Sequence, residues 1–171
     1  MNRLVHELKY VLKDDSIKWV DTSNIHLTLA FLGNTGIEYI DTISGAMRMA
    51  SQGIEPFEIE LKGLGVFKKI SDPRVIFTGI STNEPLLQLR KDLVDKLTGM
   101  KLYNDERSFS PHITLCRVRS IKNSESLRKF IEGKDNYQVM KQLVDHFTLF
   151  ESILKPSGPV YRELVRVPLN G

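Results

Sequence analysis

The stretch FSPHITLCR at residues 109–117 contains a four-residue pattern that the chain uses twice. HITL at residues 112–115 echoes HLTL at residues 26–29. Because successive side chains of a strand point to opposite faces, each copy predicts a strand with a histidine and a threonine on one face. The aliphatic side chains then lie on the other face and fix the register, since a slip of one residue would expose them. Each copy thus predicts an imidazole displayed beside a hydroxyl.

Two histidines that face one cleft are suited to phosphoryl chemistry. A neutral imidazole can take a proton from water while a charged one protonates a departing ribose oxygen. Bound phosphate favours the protonated form of its nearest imidazole, which helps to separate the two roles. The threonine hydroxyls can donate hydrogen bonds to the non-bridging oxygens. This chemistry requires neither a metal nor a cofactor, and we predict none.

A structural interpretation stands beside this one, because a single H-x-T on a strand usually means only a half-buried histidine and a good strand former. A third copy, His146-Phe147-Thr148, lacks the preceding proline and the basic residue five places on. We interpret His146 as a structural or surface histidine. His6 lies in a predicted helix without a partner motif, and we interpret it in the same way.

The size and composition of the chain indicate an ordinary globular protein. Its 171 residues are 41% hydrophobic and 26% charged, which predicts one compact domain over residues 1–171. A net charge of +3 permits an anionic substrate without establishing one. Cys116 is the only cysteine, so an internal disulfide is excluded and a reducing compartment is expected. Because no apolar run is long enough for a membrane span or a signal peptide, we expect a cytoplasmic protein without a membrane partner.

Periodicity along the chain predicts helices and strands in mixed order. Helical spacing marks residues 4–12, 37–51, 86–97 and 126–131, whereas strand patterns mark 25–31, 57–61, 74–80, 112–116, 144–153 and 160–167. Gly63 and Gly65 predict a loop, and SGP at 157–159 predicts a turn. This order favours an α+β fold with largely antiparallel sheets.

At the two motifs the sequence resembles the 2H phosphoesterase superfamily, and most closely its RNA 2′,3′-cyclic phosphodiesterases, also called 2′-5′ RNA ligases. The resemblance includes the following stretches: KWV at 18–20, NIHLTLAFLG at 24–33, LKGLGVF at 61–67, PRVIFTG at 73–79, FSPHITLCR at 109–117 and FTLFESIL at 147–154. It implies a bilobal fold in which two antiparallel sheet lobes with outer helices flank a central cleft. Relatives usually begin with a short apolar strand, whereas this chain begins at its first helix.

The resemblance also implies roles for individual residues. It makes His26 the general acid that protonates the leaving O3′ and His112 the general base that activates water. It assigns phosphate binding to the following residues: Thr28, Thr114 and Arg117. A swapped acid and base remain open if the 2′ and 3′ oxygens are seated the other way round.

Three further residues are candidates for contact with a base or with RNA. Phe109 and Phe77 can stack a base or simply pack. Lys68 can touch an RNA backbone, although most such lysines are only solvated. By alternation, Cys116 shares the face of His112, where we interpret it as a spacer rather than a nucleophile.

The expected activity is hydrolysis of 2′,3′-cyclic phosphates on RNA or nucleotides to 2′-phosphates. Reversible 2′-5′ ligation and cleavage of 2′-5′ linked oligonucleotides would use the same two histidines and stay open. From a different class, the chain can be a nucleotide- or RNA-binding module without useful catalysis. The implied partner is RNA or a nucleotide with a cyclic phosphate end, and no obligate protein partner is implied.

Overall fold

The computed structural model describes residues 1–104, 108–156 and 158–171. The helices of these parts are α1 (Asn2–Val11), α2 (Ile40–Ala50), α3 (Glu84–Gly99) and α4 (Ser124–Ile131). The strands are β1 (Ser16–Trp19), β2 (Phe57–Lys69), β3 (Asp72–Ser81), β4 (His112–Ser120), β5 (Gln138–Val144), β6 (His146–Lys155) and β7 (Gly158–Pro168). The predicted α+β fold is confirmed, as are the four predicted helices.

The chain divides into two compact units that each contain one sheet. The first unit comprises Met1–Leu27, Glu60–Ser81 and Ser110–Gln142, and the second comprises Thr28–Ile59, Thr82–Phe109 and Leu143–Gly171. Both units are assembled from separate stretches of sequence, so neither corresponds to one continuous segment.

The first unit contains a five-stranded sheet in the order β1-β4-β3-β2-β5. The pairs β1–β4, β4–β3 and β3–β2 are antiparallel. Helix α1 buries a leucine every fourth residue, which is the spacing that places side chains on one face of a helix. The fully buried large side chains of this unit include Leu4, Leu8, Leu12, Ile76, Leu115 and Leu127.

The second unit packs α2 against α3 and against the two-stranded sheet β6–β7. Helix α3 begins after Asn83, whose side-chain oxygen accepts a hydrogen bond from the backbone N–H of Leu86 (3.1 Å) and so caps the helix. Pro85 lies in the first turn, where its missing N–H costs nothing. The helix buries its stripe of leucines, namely Leu86, Leu89, Leu93 and Leu97.

The predicted strand at residues 25–31 is wrong, since the described residues pair no strand with it. The segment follows a 3-10 turn at Thr22–Asn24, which Asp21 caps by accepting from the backbone N–H of Ser23 (2.9 Å). Alternating apolar residues determine which side chains face inward, but a strand also requires a neighbouring strand. The exposure of the side chains still alternates as far as Leu29, but the pattern ends at Phe31, which is 68% exposed.

The predicted loop at Gly63 and Gly65 is also wrong, because both glycines lie inside β2. Gly63 is an extra residue in the pairing of β2 with β3, and its φ of +75° is one that glycine adopts without strain. The glycines therefore bend a long strand instead of ending it.

Two strands were not foreseen, namely β1 and β5, which form the edges of the five-stranded sheet. The turn predicted at 157–159 includes Ser157, which lies outside the described residues. Among the helices of the described ranges, none has the length and apolar character that a membrane span requires.

Candidate functional site

Strand β4 contains an extra residue that shifts its alternation. Cys116 lies opposite Ile76 of β3 and Thr114 opposite Phe77, so Leu115 has no counterpart on β3. Such a β-bulge places two residues of one strand against one residue of its neighbour. Leu115 and Cys116 are consecutive and yet both buried, at 1% and 0% exposure. Beyond the bulge, the side chains have exchanged faces.

The bulge decides where Arg117 points. Simple alternation from His112 would place residue 117 among the buried side chains, but Arg117 is exposed and Val118 is buried. Arg117 thus shares a face with His112 and Thr114. The prediction that Cys116 shares this face is wrong for the same reason. Its burial raises the pKa of the Cys116 thiol to about 12, which agrees with a spacer rather than a nucleophile.

The register of the four paired strands maps the residues that lie beside His112. Residues opposite one another on antiparallel strands point to the same face. This face carries Lys18 of β1, Lys62, Gly65 and Phe67 of β2, Val75, Phe77 and Gly79 of β3, and His112, Thr114 and Arg117 of β4. We call these residues the half-exposed face, because each of them is exposed or half-buried. The opposite face contributes the buried aliphatic side chains of the first unit.

Three rows cross the half-exposed face. The first contains Lys62, Gly79 and His112; the second contains Gly65, Phe77 and Thr114; the third contains Phe67, Val75, Arg117 and Lys18. Neighbouring rows are about 7 Å apart along a strand, and neighbouring strands are about 4.8 Å apart. His112, Thr114 and Arg117 therefore form one polar column, with an aromatic side chain on the adjacent strand.

The imidazole of His112 is held on two sides. Its Nδ1 lies 2.8 Å from the backbone oxygen of Ser110. A carbonyl oxygen only accepts hydrogen bonds, so Nδ1 carries a proton and Nε2 is the nitrogen left for chemistry. The rings of Phe67 and Phe77 contact the imidazole, with centroids 4.7 and 5.3 Å from its own. These contacts fix the orientation of the ring.

Gly65 makes room for this aromatic contact. A Cβ added at this position would lie 2.6 Å from the Phe77 ring, so the ring occupies the space that a side chain on β2 would fill. Phe77 also contacts Phe67, with ring centroids 4.5 Å apart. Phe67 is 36% exposed and was not singled out from the sequence, although it ends the LKGLGVF stretch that carries the family resemblance.

His26 makes the same local hydrogen bond as His112. Its Nδ1 lies 2.7 Å from the backbone oxygen of Asn24, again two residues earlier in the chain. The two histidines therefore share a tautomer in which Nδ1 carries the proton that bonds the backbone oxygen. His26 and Thr28 are exposed while Ile25, Leu27 and Leu29 are half-buried, so the predicted faces are confirmed even though the strand is absent. His26 belongs to the first unit and Thr28 to the second.

Two of the secondary candidates have other partners. The ammonium of Lys68 bonds the carboxylate of Asp72 across the β2–β3 turn and lowers the pKa of that carboxyl. Phe109 is half-buried, and the guanidinium of Arg90 lies 5.0 Å from its ring centroid. Both contacts favour the structural interpretation of these residues over contact with RNA or a base.

Three cations lie on the half-exposed face, namely Lys18, Lys62 and Arg117. Within residues 1–104, 108–156 and 158–171, no ion pair involves Lys18, Lys62 or Arg117. The face is consequently a place where an anion would meet uncompensated positive charge. In the same ranges, no three His, Cys, Asp or Glu side chains are grouped as metal ligands.

The third H-x-T copy lies elsewhere in the fold. His146 begins β6 in the second unit, and its Nδ1 bonds the carboxylate of the preceding residue, Asp145. That contact lowers the pKa of the Asp145 carboxyl. His146 differs in this respect from His26 and His112, whose Nδ1 atoms bond backbone oxygens.

Sequence comparison finds close relatives over most of the chain. A family model described as the 2′-5′ RNA ligase superfamily matches residues 2–153. An RNA 2′,3′-cyclic phosphodiesterase of Aeropyrum pernix is 34% identical over 152 residues, covering 88% of this chain and 85% of that protein. The protein of the same description from Methanothermobacter thermautotrophicus is 32% identical over 151 residues, covering 88% and 82%.

Solved structures show the same fold. TT0787 of Thermus thermophilus superposes with a TM-score of 0.82 at 26% identity, covering 99% of this chain and 91% of the other. Escherichia coli LigT complexed with 3′-AMP gives a TM-score of 0.77 at 23% identity, with coverage of 99% and 91%. Together with the two H-x-T motifs, these matches confirm the resemblance, and the chain belongs to the 2′-5′ RNA ligase superfamily.

Proposed function

We propose that the protein hydrolyses 2′,3′-cyclic phosphate ends of RNA or nucleotides to 2′-phosphates. The observation that carries the proposal is the shared geometry of the two motif histidines. In both, a backbone oxygen two residues earlier holds Nδ1 and makes Nε2 the nitrogen for proton transfer. Relatives described as RNA 2′,3′-cyclic phosphodiesterases, at 32 to 34% identity, support the choice of substrate.

The reaction begins at His112. Its Nε2 removes a proton from a water molecule as the water oxygen attacks phosphorus. Hydrogen bonds from the hydroxyls of Thr114 and Thr28 to the non-bridging oxygens would stabilise the charge that gathers there. Arg117, which shares the face of His112, would add a positive charge beside the same oxygens.

The reaction ends at His26. As the bond between phosphorus and O3′ breaks, Nε2 of a charged His26 donates its proton to O3′. The products are a free 3′-hydroxyl and a 2′-phosphate, and the proton taken by His112 returns to solvent while His26 is reprotonated. The hydrogen bond from Nδ1 to a backbone oxygen persists in both charge states of each ring, because Nδ1 keeps its proton throughout. The mechanism requires the two imidazoles to converge on one phosphate.

The test is turnover of 2′,3′-cyclic AMP in the presence of a metal chelator. We expect His26→Ala and His112→Ala each to lower kcat by about 10²- to 10⁴-fold, the usual contribution of an acid or base. His26→Asn and His112→Asn keep a side-chain donor near the backbone oxygen but lack Nε2, and they should be equally impaired. His146→Ala, which changes the third H-x-T copy, is the matched control and should retain full activity.

Three outcomes would contradict the proposal. Turnover that survives both His26→Ala and His112→Ala would exclude the two-histidine mechanism. Loss of wild-type turnover on chelation would show that a metal takes part. Binding of the cyclic nucleotide without any hydrolysis would favour a binding module.

A further inference from the structure

We propose that Phe67 is a positioning residue, which keeps the imidazole of His112 in the ring plane and the tautomer that allow Nε2 to take a proton from water. This inference rests on the proposed function and deepens it, because it concerns the same histidine. In this role Phe67 acts through the ring of His112 and not on the substrate.

The imidazole of His112 has to be right in two respects. Its plane has to aim the Nδ1–H bond at the oxygen of Ser110, which lies 2.8 Å away. Its proton has to stay on Nδ1, whereas a neutral histidine in water carries the proton mainly on Nε2, where it blocks the acceptance of another one. A hydrogen bond between neutral groups favours one arrangement by only about tenfold. The ring therefore needs a second restraint to hold the reactive tautomer.

Phe67 provides this restraint by contact. Its ring centroid lies 4.7 Å from that of His112, and the planes of the two rings are 82° apart. This is the edge-to-face arrangement, in which the positive edge of one ring meets the negative face of the other. Rotation of the imidazole about its Cβ–Cγ bond would lose the contact and would turn the Nδ1–H bond away from Ser110. Phe67 thus stabilises the plane in which the hydrogen bond forms.

Phe77 holds Phe67 in place. The two rings are 4.5 Å apart, and their planes differ by only 31°. Phe77 in turn lies against Gly65, where an added Cβ would be 2.6 Å from the ring. Phe77 also contacts His112, but at 5.3 Å and with an angle of 59° between the planes. Because this contact is longer and further from perpendicular, we assign the restraint to Phe67 and the support to Phe77.

The backbone around Phe67 also favours a positioning role. The side chain is 36% exposed, so burial of apolar surface accounts for only part of its placement. The register of β2 with β3 shifts directly after Phe67, and Lys68 has a φ of +79°, which is uncommon for a residue other than glycine. Irregular pairing of this kind re-aims a side chain of the strand. We infer that it directs the Phe67 ring across the sheet towards His112.

The test measures the tautomer of His112 in the free protein. Long-range ¹H–¹⁵N correlation spectra, recorded at a pH where the ring is neutral, distinguish a ring nitrogen that carries a proton from one that does not. We expect a protonated Nδ1 in the wild type and an increased share of protonated Nε2 in Phe67→Leu, with the signals assigned by their absence from His112→Ala. His26 makes the same hydrogen bond to a backbone oxygen, so its unchanged tautomer provides the internal reference.

Kinetics with 2′,3′-cyclic AMP tests the consequence for the reaction. Phe67→Leu should lower kcat by about two- to tenfold, the range of one edge-to-face contact, and should change KM by less than about twofold. Phe67→Tyr keeps the ring and should retain the tautomer and kcat of the wild type. Phe67→Met also removes the ring and replaces Phe67→Leu if that variant folds poorly. Phe130→Leu, on a helix that packs against α1, is the matched control and should change neither quantity.

An unchanged tautomer of His112 in a folded Phe67→Leu or Phe67→Met would overturn the inference. A raised KM with unchanged kcat would also overturn it, because Phe67 would then contact the substrate, as a platform for a base does. The spectra are recorded without substrate, so they decide the inference even if the wild type hydrolyses nothing. A protein in which Phe67 holds the tautomer but no cyclic nucleotide is hydrolysed would refute the proposed function alone.

Discussion

At His26 and His112, one backbone hydrogen bond decides which ring nitrogen can transfer a proton. Nδ1 bonds the oxygen of Asn24 or of Ser110, so the proposed proton transfers would use the same nitrogen, Nε2, of both rings. The geometry is local, because donor and acceptor are only two residues apart. Ala and Asn variants of each histidine therefore test different things: the first removes the ring and its hydrogen bond, and the second removes mainly the reactive nitrogen.

Cys116 provides a prediction that is independent of catalysis. Because burial raises its thiol pKa to about 12, the folded protein at pH 8 should hold it as the unreactive thiol. We expect modification by a soluble thiol reagent to be at least about 100-fold slower in the native protein than in guanidinium chloride. Rapid stoichiometric modification of the native protein would contradict the buried position.

The raised pKa of the Cys116 thiol also makes the free energy of unfolding depend on pH. The pKa of the folded thiol is above its ordinary value of 9.0, so the contribution to stability is fully present below pH 9. It is lost progressively as the pH rises from 9 towards 12, because only the unfolded chain releases the proton in that range.

The sequence predicted which residues occupy the candidate site better than it predicted the face to which each side chain points. The pairs His112–Thr114 and His26–Thr28 have the exposure that alternation predicts. The direction of Arg117 depends on the extra residue in β4, and a bulge is a property of pairing that one strand's sequence does not contain. The position of Lys18 on the face of His112 was not predicted, because its strand pairs with residues about 100 positions away.

Among the elements, helices were predicted more accurately than strands. The leucines of α1 and α3 follow the period of a helix, which is a signal within the element itself. The short edge strand β1 has four residues and too little alternation to be recognised. For residues 25–31 the sequence instead predicted a strand that the structure lacks, because the alternating pattern is present but no partner strand pairs with it among the described residues.

The bulge at Gly63 of β2 gives a prediction about the stability of the fold. Gly63 has a φ of +75°, and an added Cβ would lie 2.6 Å from the backbone oxygen of Asp135. Gly133 has nearly the same φ, +76°, but a Cβ there would meet nothing within 4 Å. We expect Gly133→Ala to lower the free energy of unfolding by about 1–2 kcal/mol, and Gly63→Ala by about 1–3 kcal/mol more.

Urea denaturation of the two glycine variants would measure this difference. The backbone N–H of Gly63 donates to the oxygen of Tyr137 at 2.9 Å, and its own oxygen accepts from the buried hydroxyl of Thr78, also at 2.9 Å. Any movement that relieves the overlap would disturb both bonds. Equal stability of Gly63→Ala and Gly133→Ala would show that β2 tolerates a side chain at its bulge.

For the whole molecule, the path of the chain ties its two units together. The backbone passes between them after Leu27, Ile59, Ser81, Phe109 and Gln142. Since each unit is built from separate stretches, unfolding of either one would free the ends of the segments that the other must hold in place. We expect a single cooperative transition in urea.

Two probes would check this expectation. Trp19 is the only tryptophan and lies in the first unit, so its fluorescence reports on that unit, whereas far-UV circular dichroism reports on all helices and strands. The two curves should coincide. A circular dichroism transition that extends beyond the fluorescence transition would show that the second unit unfolds by itself.

The extra residue at position 115 links the spacing of two side chains to the shape of the strand. A chain that lacked Leu115 would pair without a bulge and would still hold the arginine beside the histidine, because Cys116, Arg117 and Val118 would then continue the regular alternation from Thr114. A homologous sequence with this arginine five residues after the histidine should therefore contain the bulge, whereas one with the arginine four residues after it should have a regular strand. Counting the residues between the two side chains would thus predict the local shape of the sheet in each relative.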